Sequence, residues 1–222
     1  MTLTLTELEA VTAEVSAAAT GGKIRGLAVP EPFVVVLTIE GPSGRRRVLF
    51  CARPGLVRMH LTEIRLETPR DAVPAFAEPA RRELLGAAIE RVANRYHDRV
   101  VAFDLNTFAG PRTLLFEGSG HHPNLYVLGE DGRILLMLGP SHSHLRRLVP
   151  GSRYERPLPH QEGIEAVRFL GGLGSVSADV EAFYRAEDER ARRRRYTPEP
   201  APPGPPRRGP APARRGPPRK PR

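Results

Sequence analysis

Asp98 and Arg99 stand side by side in the stretch RYHDRVVAFDL, immediately before an apolar run over 100–105. A guanidinium can fork two hydrogen bonds to a phosphate or to a base edge. A neighbouring carboxylate can orient it, or accept from an amine or a ribose hydroxyl. The plainer alternative is a surface ion pair at a strand entry, worth little in stability. The other reactive residue types offer less. Seven histidines include His121-His122 and His142-Ser143-His144. Zinc needs three or four convergent ligands, normally with thiolate or carboxylate among them. Cys-x-x-Cys and His-Glu-x-x-His spacings are both missing, so loop histidines are expected and no metal or other cofactor is. The glycine-rich GGLGSV at 171–176 has no Gly-Lys-Ser/Thr and reads as a linker, not a phosphate loop. Cys51 follows Val48-Leu49-Phe50 and reads as a buried structural thiol. No Gly-x-Ser-x-Gly elbow or distinctive carboxylate pair is present, so no enzyme active site is expected.

The elements that would position these groups follow from periodicity. Leu5, Leu8, Val11, Val15, Ala18 and Ala19 recur at helical spacing, with Thr4 or Thr6 to cap the start and Gly21-Gly22 to end it. Strand-like runs over 23–29, 33–40 and 45–52 follow, the last two joined by the turn GPSG. Residues 53–69 read as irregular with short extended pieces. A second helix is predicted over 73–86, with Pro79 an awkward member. Alternating runs over 89–95, 100–107, 113–118, 125–128 and 133–138 form a meander with turns at AGPR and GEDG. A third helix spans 175–195, its short stripe made by Val176, Val180, Phe183 and Tyr184. The fold class is α+β: mostly antiparallel, β-sandwich-like sheets with flanking helices.

The charge is unevenly placed. The 222 residues carry a net +9, but residues 190–222 alone hold 12 Lys/Arg against Glu199. The remainder is close to neutral, so the basicity belongs to the end of the chain. Eleven of the 24 prolines also lie beyond residue 195. Such a segment has little apolar surface to bury and is expected to be disordered. The expected organisation is a domain over 1–160, a linker and charged helix over 161–195, and a Pro/Arg tail over 196–222. The first fifteen residues carry acids and no basic region, and no apolar run approaches the roughly 20 residues of a membrane helix. A soluble, cytoplasmic protein with no membrane partner is expected.

Four segments, in order, resemble the amino-terminal domain of the NFACT family. ARPGLVRMHLTE (52–63) resembles its Ala-x-Pro segment followed by Arg-hydrophobic-His-Leu-Thr. YHDRVVAF resembles its Asp-Arg motif before a strand. GHHPNLYVLGEDGRIL (120–135) resembles its Gly-Arg-His-Ser-Asn segment with the following hairpin. VPGSRYERPLP (149–159) resembles its closing Pro-Gly-x-x-Tyr motif. His121 stands where the family usually has Arg, and Pro123 where it has Ser. The coiled coil and later RNA-binding domain of full-length members do not follow, so the chain resembles a shortened member.

The resemblance implies a fold like the amino-terminal domain of formamidopyrimidine-DNA glycosylases. Their nucleophilic proline is replaced here by Thr2, so glycosylase chemistry is not expected. It also implies a non-catalytic, RNA-binding role in ribosome quality control, with tRNA or large-subunit RNA as partner. The RNA contacts it suggests are Asp98, Arg99, Arg58, His121, His122 and Asn124. Arg192, Arg193, Arg194 and Arg195 would add phosphate contacts from the basic end. The other reading is a protein-interaction module, its Pro/Arg tail docking as polyproline II on a partner.

Overall fold

A computed structural model of the chain describes residues 2–71, 73–119, 122–141, 145–158 and 166–196, the last six as backbone alone. The order is α1 (Leu5–Ala19), β1 (Lys23–Glu31), β2 (Val34–Gly41), β3 (Gly44–Cys51), β4 (Arg58–Leu61), α2 (Ala77–Leu84), β5 (Ala88–Arg95), β6 (Val100–Thr107), β7 (Gly110–Glu117), β8 (Asn124–Gly129), β9 (Ile134–Met137) and α3 (Val176–Tyr196). Of the tail predicted over 196–222, Tyr196 ends α3 and residues 197–222 lie outside the described residues, as does residue 160, where the domain was expected to end. No described helix is long and apolar enough to cross a membrane.

α1 starts where Thr4 and Glu7 cap each other: the Glu7 N–H donates to Thr4 Oγ1 at 3.1 Å and the Thr4 N–H to Glu7 Oε2 at 3.0 Å. Leu8, Val11, Val15 and Ala19 form its buried stripe. α2 is shorter than predicted. Pro74 lies before it, and Pro79 sits in its first turn, where a missing N–H is tolerated. The stretch read as irregular contains β4, which completes an edge of the sheet.

All nine strands form one antiparallel sheet in the order β4-β3-β2-β1-β5-β6-β7-β8-β9. Four strand spacings separate β3 from β6, about 19 Å if the sheet were flat. Yet Phe50 of β3 lies edge-on to Phe103 of β6 with ring centres 5.4 Å apart, and 5.8 Å from Phe116 of β7. The sheet therefore folds over at the β1–β5 junction, where a single residue pair, Lys23 with Ala88, holds the register. Its two halves face each other across one core, with α1 closing one side. This is the sandwich-like arrangement expected from the meander pattern.

The halves are internal repeats. Val34 faces Cys51 and Leu49 faces His60; 66 residues on, Val100 faces Glu117 and Leu115 faces Tyr126. β1 and β5 each carry a bulge at the same place, between Ile24 and Gly26 and between Ile89 and Arg91. The junction hydrogen bonds come in matched pairs. Ile24 N–H donates to Ala87 O as Ile89 N–H donates to Gly22 O. Gly86 N–H donates to Ile24 O as Gly21 N–H donates to Ile89 O. A local two-fold axis thus passes between Lys23 and Ala88.

Phe33, at φ 62°, seats its ring on Gly139, where an added Cβ would stand 2.2 Å from a ring carbon. Gly139→Ala should therefore displace Phe33 and lower stability by about 1–2 kcal/mol. Urea denaturation will measure it, and an unchanged midpoint would mean the ring moves freely.

Candidate nucleic-acid interface

Two of the expected contact residues, Asp98 and Arg99, lie in the turn at one end of the folded sheet. β5 and β6 are joined by Tyr96, His97, Asp98 and Arg99. Asp98 N–H donates to Arg95 O at 3.3 Å, closing a turn whose central residues Tyr96 and His97 sit at φ 63° and 50°. Hairpin turns with two positive φ angles suit Asn-Gly. A tyrosine there is strained, and such strain persists only where its surroundings impose it. One restraint is Asp98. It is buried, and its Oδ1 accepts the Arg99 N–H at 2.6 Å. The carboxylate thus shapes the backbone of the turn rather than standing as a surface ion pair. Arg99 accepts the Gly118 N–H on its carbonyl at 2.7 Å and sends Nη1 to Thr2 Oγ1 at 3.1 Å.

The same end is completed by residues distant in sequence. Tyr96 is 46% exposed, and the Arg156 guanidinium carbon lies 6.0 Å from its ring centre. Tyr96, His97 and Arg156 were not singled out in the sequence. No local signal marks them, because Tyr-His is not a pair suited to positive φ and Arg156 is distant in the sequence. Beneath them Glu117, 1% exposed, receives both Arg146 Nη1 and Nη2, at 3.0 and 2.6 Å, and the Tyr154 hydroxyl at 2.6 Å. Burial, and then the charge of Glu117, pushes the Tyr154 phenol far above its ordinary range, so it stays neutral. Burial pulls Arg146 down, but its bonds and charge pairing with Glu117 outweigh this and hold it above its usual value.

The remaining expected contacts take different roles. Asn124 is 2% exposed, and its amide is spent inside the protein. Nδ2 donates to Gly139 O at 2.8 Å, while Oδ1 accepts from Leu125 and Gly139 N–H. It pins the chain after β9, and its side-chain amide is engaged within the protein. His122 is exposed, and His121 lies outside the described residues. Arg58 opens β4. Val57 before it reaches this end, receiving the Leu3 N–H on its carbonyl and lying against Gly118. The Arg58 head, however, turns away to Asp188 of α3 at 2.6 Å and stacks on Tyr184, 4.7 Å from its ring centre. The backbone of Arg192–Arg195 continues α3; their side chains lie outside the description.

The segment before α1 ties the two neighbourhoods together. Arg168 donates to Thr2 O at 2.6 Å and to both oxygens of fully buried Glu7. Burial raises the Glu7 carboxyl, but the Arg168 bonds and the Thr4 N–H outweigh it and hold it below the usual range. Phe169, Val180 and Tyr184 join the main core, so α3 packs on the sheet it follows. Among the described residues no cluster of three or more metal-ligating side chains exists.

The chain resembles known proteins over most of this structure. A family model for the NFACT N-terminal and middle domains matches residues 4–170. The Rqc2 homolog RqcH of Bacillus subtilis is 26% identical over 153 residues, 65% of this chain and 26% of that protein. The Rqc2 homolog RqcH of Streptococcus suis is 28% identical over 160 residues, 68% of this chain and 29% of that protein. The chain thus spans less than a third of either relative. Among solved structures, the N-terminal part of the fibronectin/fibrinogen-binding protein from Streptococcus suis superposes with a TM-score of 0.64 at 27% identity, covering 70% of this chain and 61% of that one. The N-terminal domain of the fibronectin-binding protein PavA from Streptococcus pneumoniae shares the fold. Its TM-score is 0.64 at 23% identity, covering 88% of each chain.

Proposed function

Because this chain belongs to the NFACT family through that N-terminal and middle-domain segment, we propose that it is a non-catalytic RNA-binding module of translation quality control. It works in the cytoplasm and contacts tRNA, or RNA of the large ribosomal subunit, with the end of the sheet around the β5–β6 turn. One observation carries the reading: Tyr96 is held exposed at positive φ beside Arg156, next to the Asp98-Arg99 motif. An exposed ring with a planar cation over it is a platform on which an unpaired base can stack. Arg99 supplies a fork for phosphate or a base edge, and buried Asp98 fixes the turn that presents it. The arginines at 192–195 and beyond add charge without sequence preference, screened by salt.

Fluorescence anisotropy with a labelled tRNA tests this. Tyr96→Ala and Arg99→Ala should each weaken binding about tenfold, the loss expected for one stacked base or one charged hydrogen bond. Arg99→Lys keeps the charge and loses the fork, so it should fall almost as far. The double substitution Tyr96→Asn with His97→Gly gives the turn residues suited to positive φ. It should stabilise the fold by about 1 kcal/mol while weakening tRNA about tenfold. Folded variants that bind tRNA like the parent would overturn the proposal.

A further inference from the structure

α3 begins tightly and ends loosely. At its start Glu14 accepts the Val176 and Ser177 N–H groups at 2.6 and 2.9 Å, and Val180 and Tyr184 are fully buried. Beyond Tyr184, the described hydrogen bonds from α3 to the sheet all come from Asp188. Its Oδ1 takes Arg53 Nη2 and its Oδ2 takes Arg58 Nη2, each at 2.6 Å. One anion with two oxygens, each gripped by a separate guanidinium, is how paired arginines hold a phosphate. The fit to a carboxylate is incomplete. Arg58, with a side chain 5% exposed, keeps its Nε buried and without a hydrogen-bond partner. A donor left so costs free energy, and a phosphate has further oxygens to offer it. A cavity of about 230 Å³ adjoins both arginines and is lined also by Asp188, Glu181, Glu189 and Glu31, whose Oε2 accepts from Arg53 Nη1 at 2.9 Å.

We propose that Arg53 and Arg58 form a phosphate-binding site that Asp188 occupies as an internal substitute. The C-terminal half of α3 is then a latch that a phosphodiester of RNA displaces. The RNA source rests on the function proposed above; the two-arginine site does not. Peeling the helix back from residue 185 uncovers the pair and leaves Val180 and Tyr184 seated, so the latch opens without unfolding the core. The contrast with Glu117 at the other repeat supports a removable seal. Glu117 is 1% exposed and carries three hydrogen bonds from side chains, whereas the Asp188 side chain is 21% exposed. The latch also carries Arg190 and Arg192–Arg195, which draw the same polyanion toward it.

The full chain with Asp188→Asn should bind labelled tRNA about tenfold more tightly, because a charged competitor has become neutral. Inorganic pyrophosphate should raise the melting temperature of that variant and leave the parent unmoved. Both gains should vanish when Arg53→Ala is added. Glu187→Gln removes the same charge from the same helix, but Glu187 pairs only with Arg190 among the described residues. It should change binding by less than about twofold. In the unmutated chain, hydrogen exchange at 185–190 should quicken when tRNA binds. Unchanged binding in Asp188→Asn, an equal gain in Glu187→Gln, a gain that survives Arg53→Ala, or slower exchange over 185–190 would each overturn the latch. If no form binds tRNA but pyrophosphate protects only Asp188→Asn, the RNA function falls and the two-arginine site stands.

Discussion

Glu117→Ala should lower folding stability by about 3–5 kcal/mol, a large share of what a domain this size possesses. The substitution removes a carboxylate that is 1% exposed and strands Arg146, whose side chain is 15% exposed, beside the half-buried Tyr154 phenol. Tyr154 loses its acceptor as well. The penalty comes from the unpaired charge and donor left behind, not from the attraction lost, because desolvation has already consumed most of that attraction. Arg146→Ala should therefore lose a similar amount, leaving the carboxylate as the stranded member. Replacing both together, Glu117→Leu with Arg146→Met, should cost far less than the two single losses combined. Urea midpoints of the four chains will show it. Single variants within about 1 kcal/mol of the parent would mean that water reaches this pair freely.

Stability should also fall as the pH drops below about 6.5, through His60. This side chain is 2% exposed, and Nδ1 donates to its neighbour Leu61 O at 2.8 Å. Burial pulls its pKa from 6.5 down to about 4, with Arg58 adding to the fall and the Leu61 carbonyl and Asp188 opposing it. The folded chain thus binds fewer protons here than the unfolded one. The stabilisation is whole above the unfolded pKa and is lost as the pH falls toward the folded one. The full window is worth about 3 kcal/mol, of which about 2 should be gone by pH 5. His60→Gln removes the titration and keeps a donor for Leu61 O. Its stability should change about 2 kcal/mol less than the parent between pH 7 and 5. Parallel pH curves for the two chains would place the acid sensitivity elsewhere.

Much of the architecture was legible because it is local. Helix α1, its Thr4 cap, the GPSG hairpin and the alternating strands are written in residues three or four apart, or two apart. α2 was overextended because Pro79 fits only a first turn, and apolar spacing does not say where that turn falls. β4 is four residues long and too short to show a period. The site was half visible. The Asp-Arg pair was read from its place before a strand, but the burial of Asp98 and the reach of Arg99 to Thr2 depend on chain ends brought together by folding. Arg156 lies sixty residues from Tyr96 in the chain, and nothing local links them. Asn124 reads as a contact residue because it is polar and sits in a motif. Its amide is a clasp on Gly139, a partner 15 residues away.

The local two-fold axis at Lys23 and Ala88 bears on how such a molecule could arise. Contacts in which a residue meets its own counterpart are the signature of a symmetric dimer. Here that interface lies within one polypeptide, so the molecule has the form of an ancestral homodimer whose subunits became joined in tandem. Once joined, equivalent positions were free to diverge. Cys51 and Glu117 are counterparts, as are Arg58 and Asn124, and His60 and Tyr126. One repeat has an arginine where the other has a structural amide. A symmetric ancestor would have carried two identical ends. The fused chain has specialised one for the strained tyrosine turn and the other for a pair of arginines under a helix.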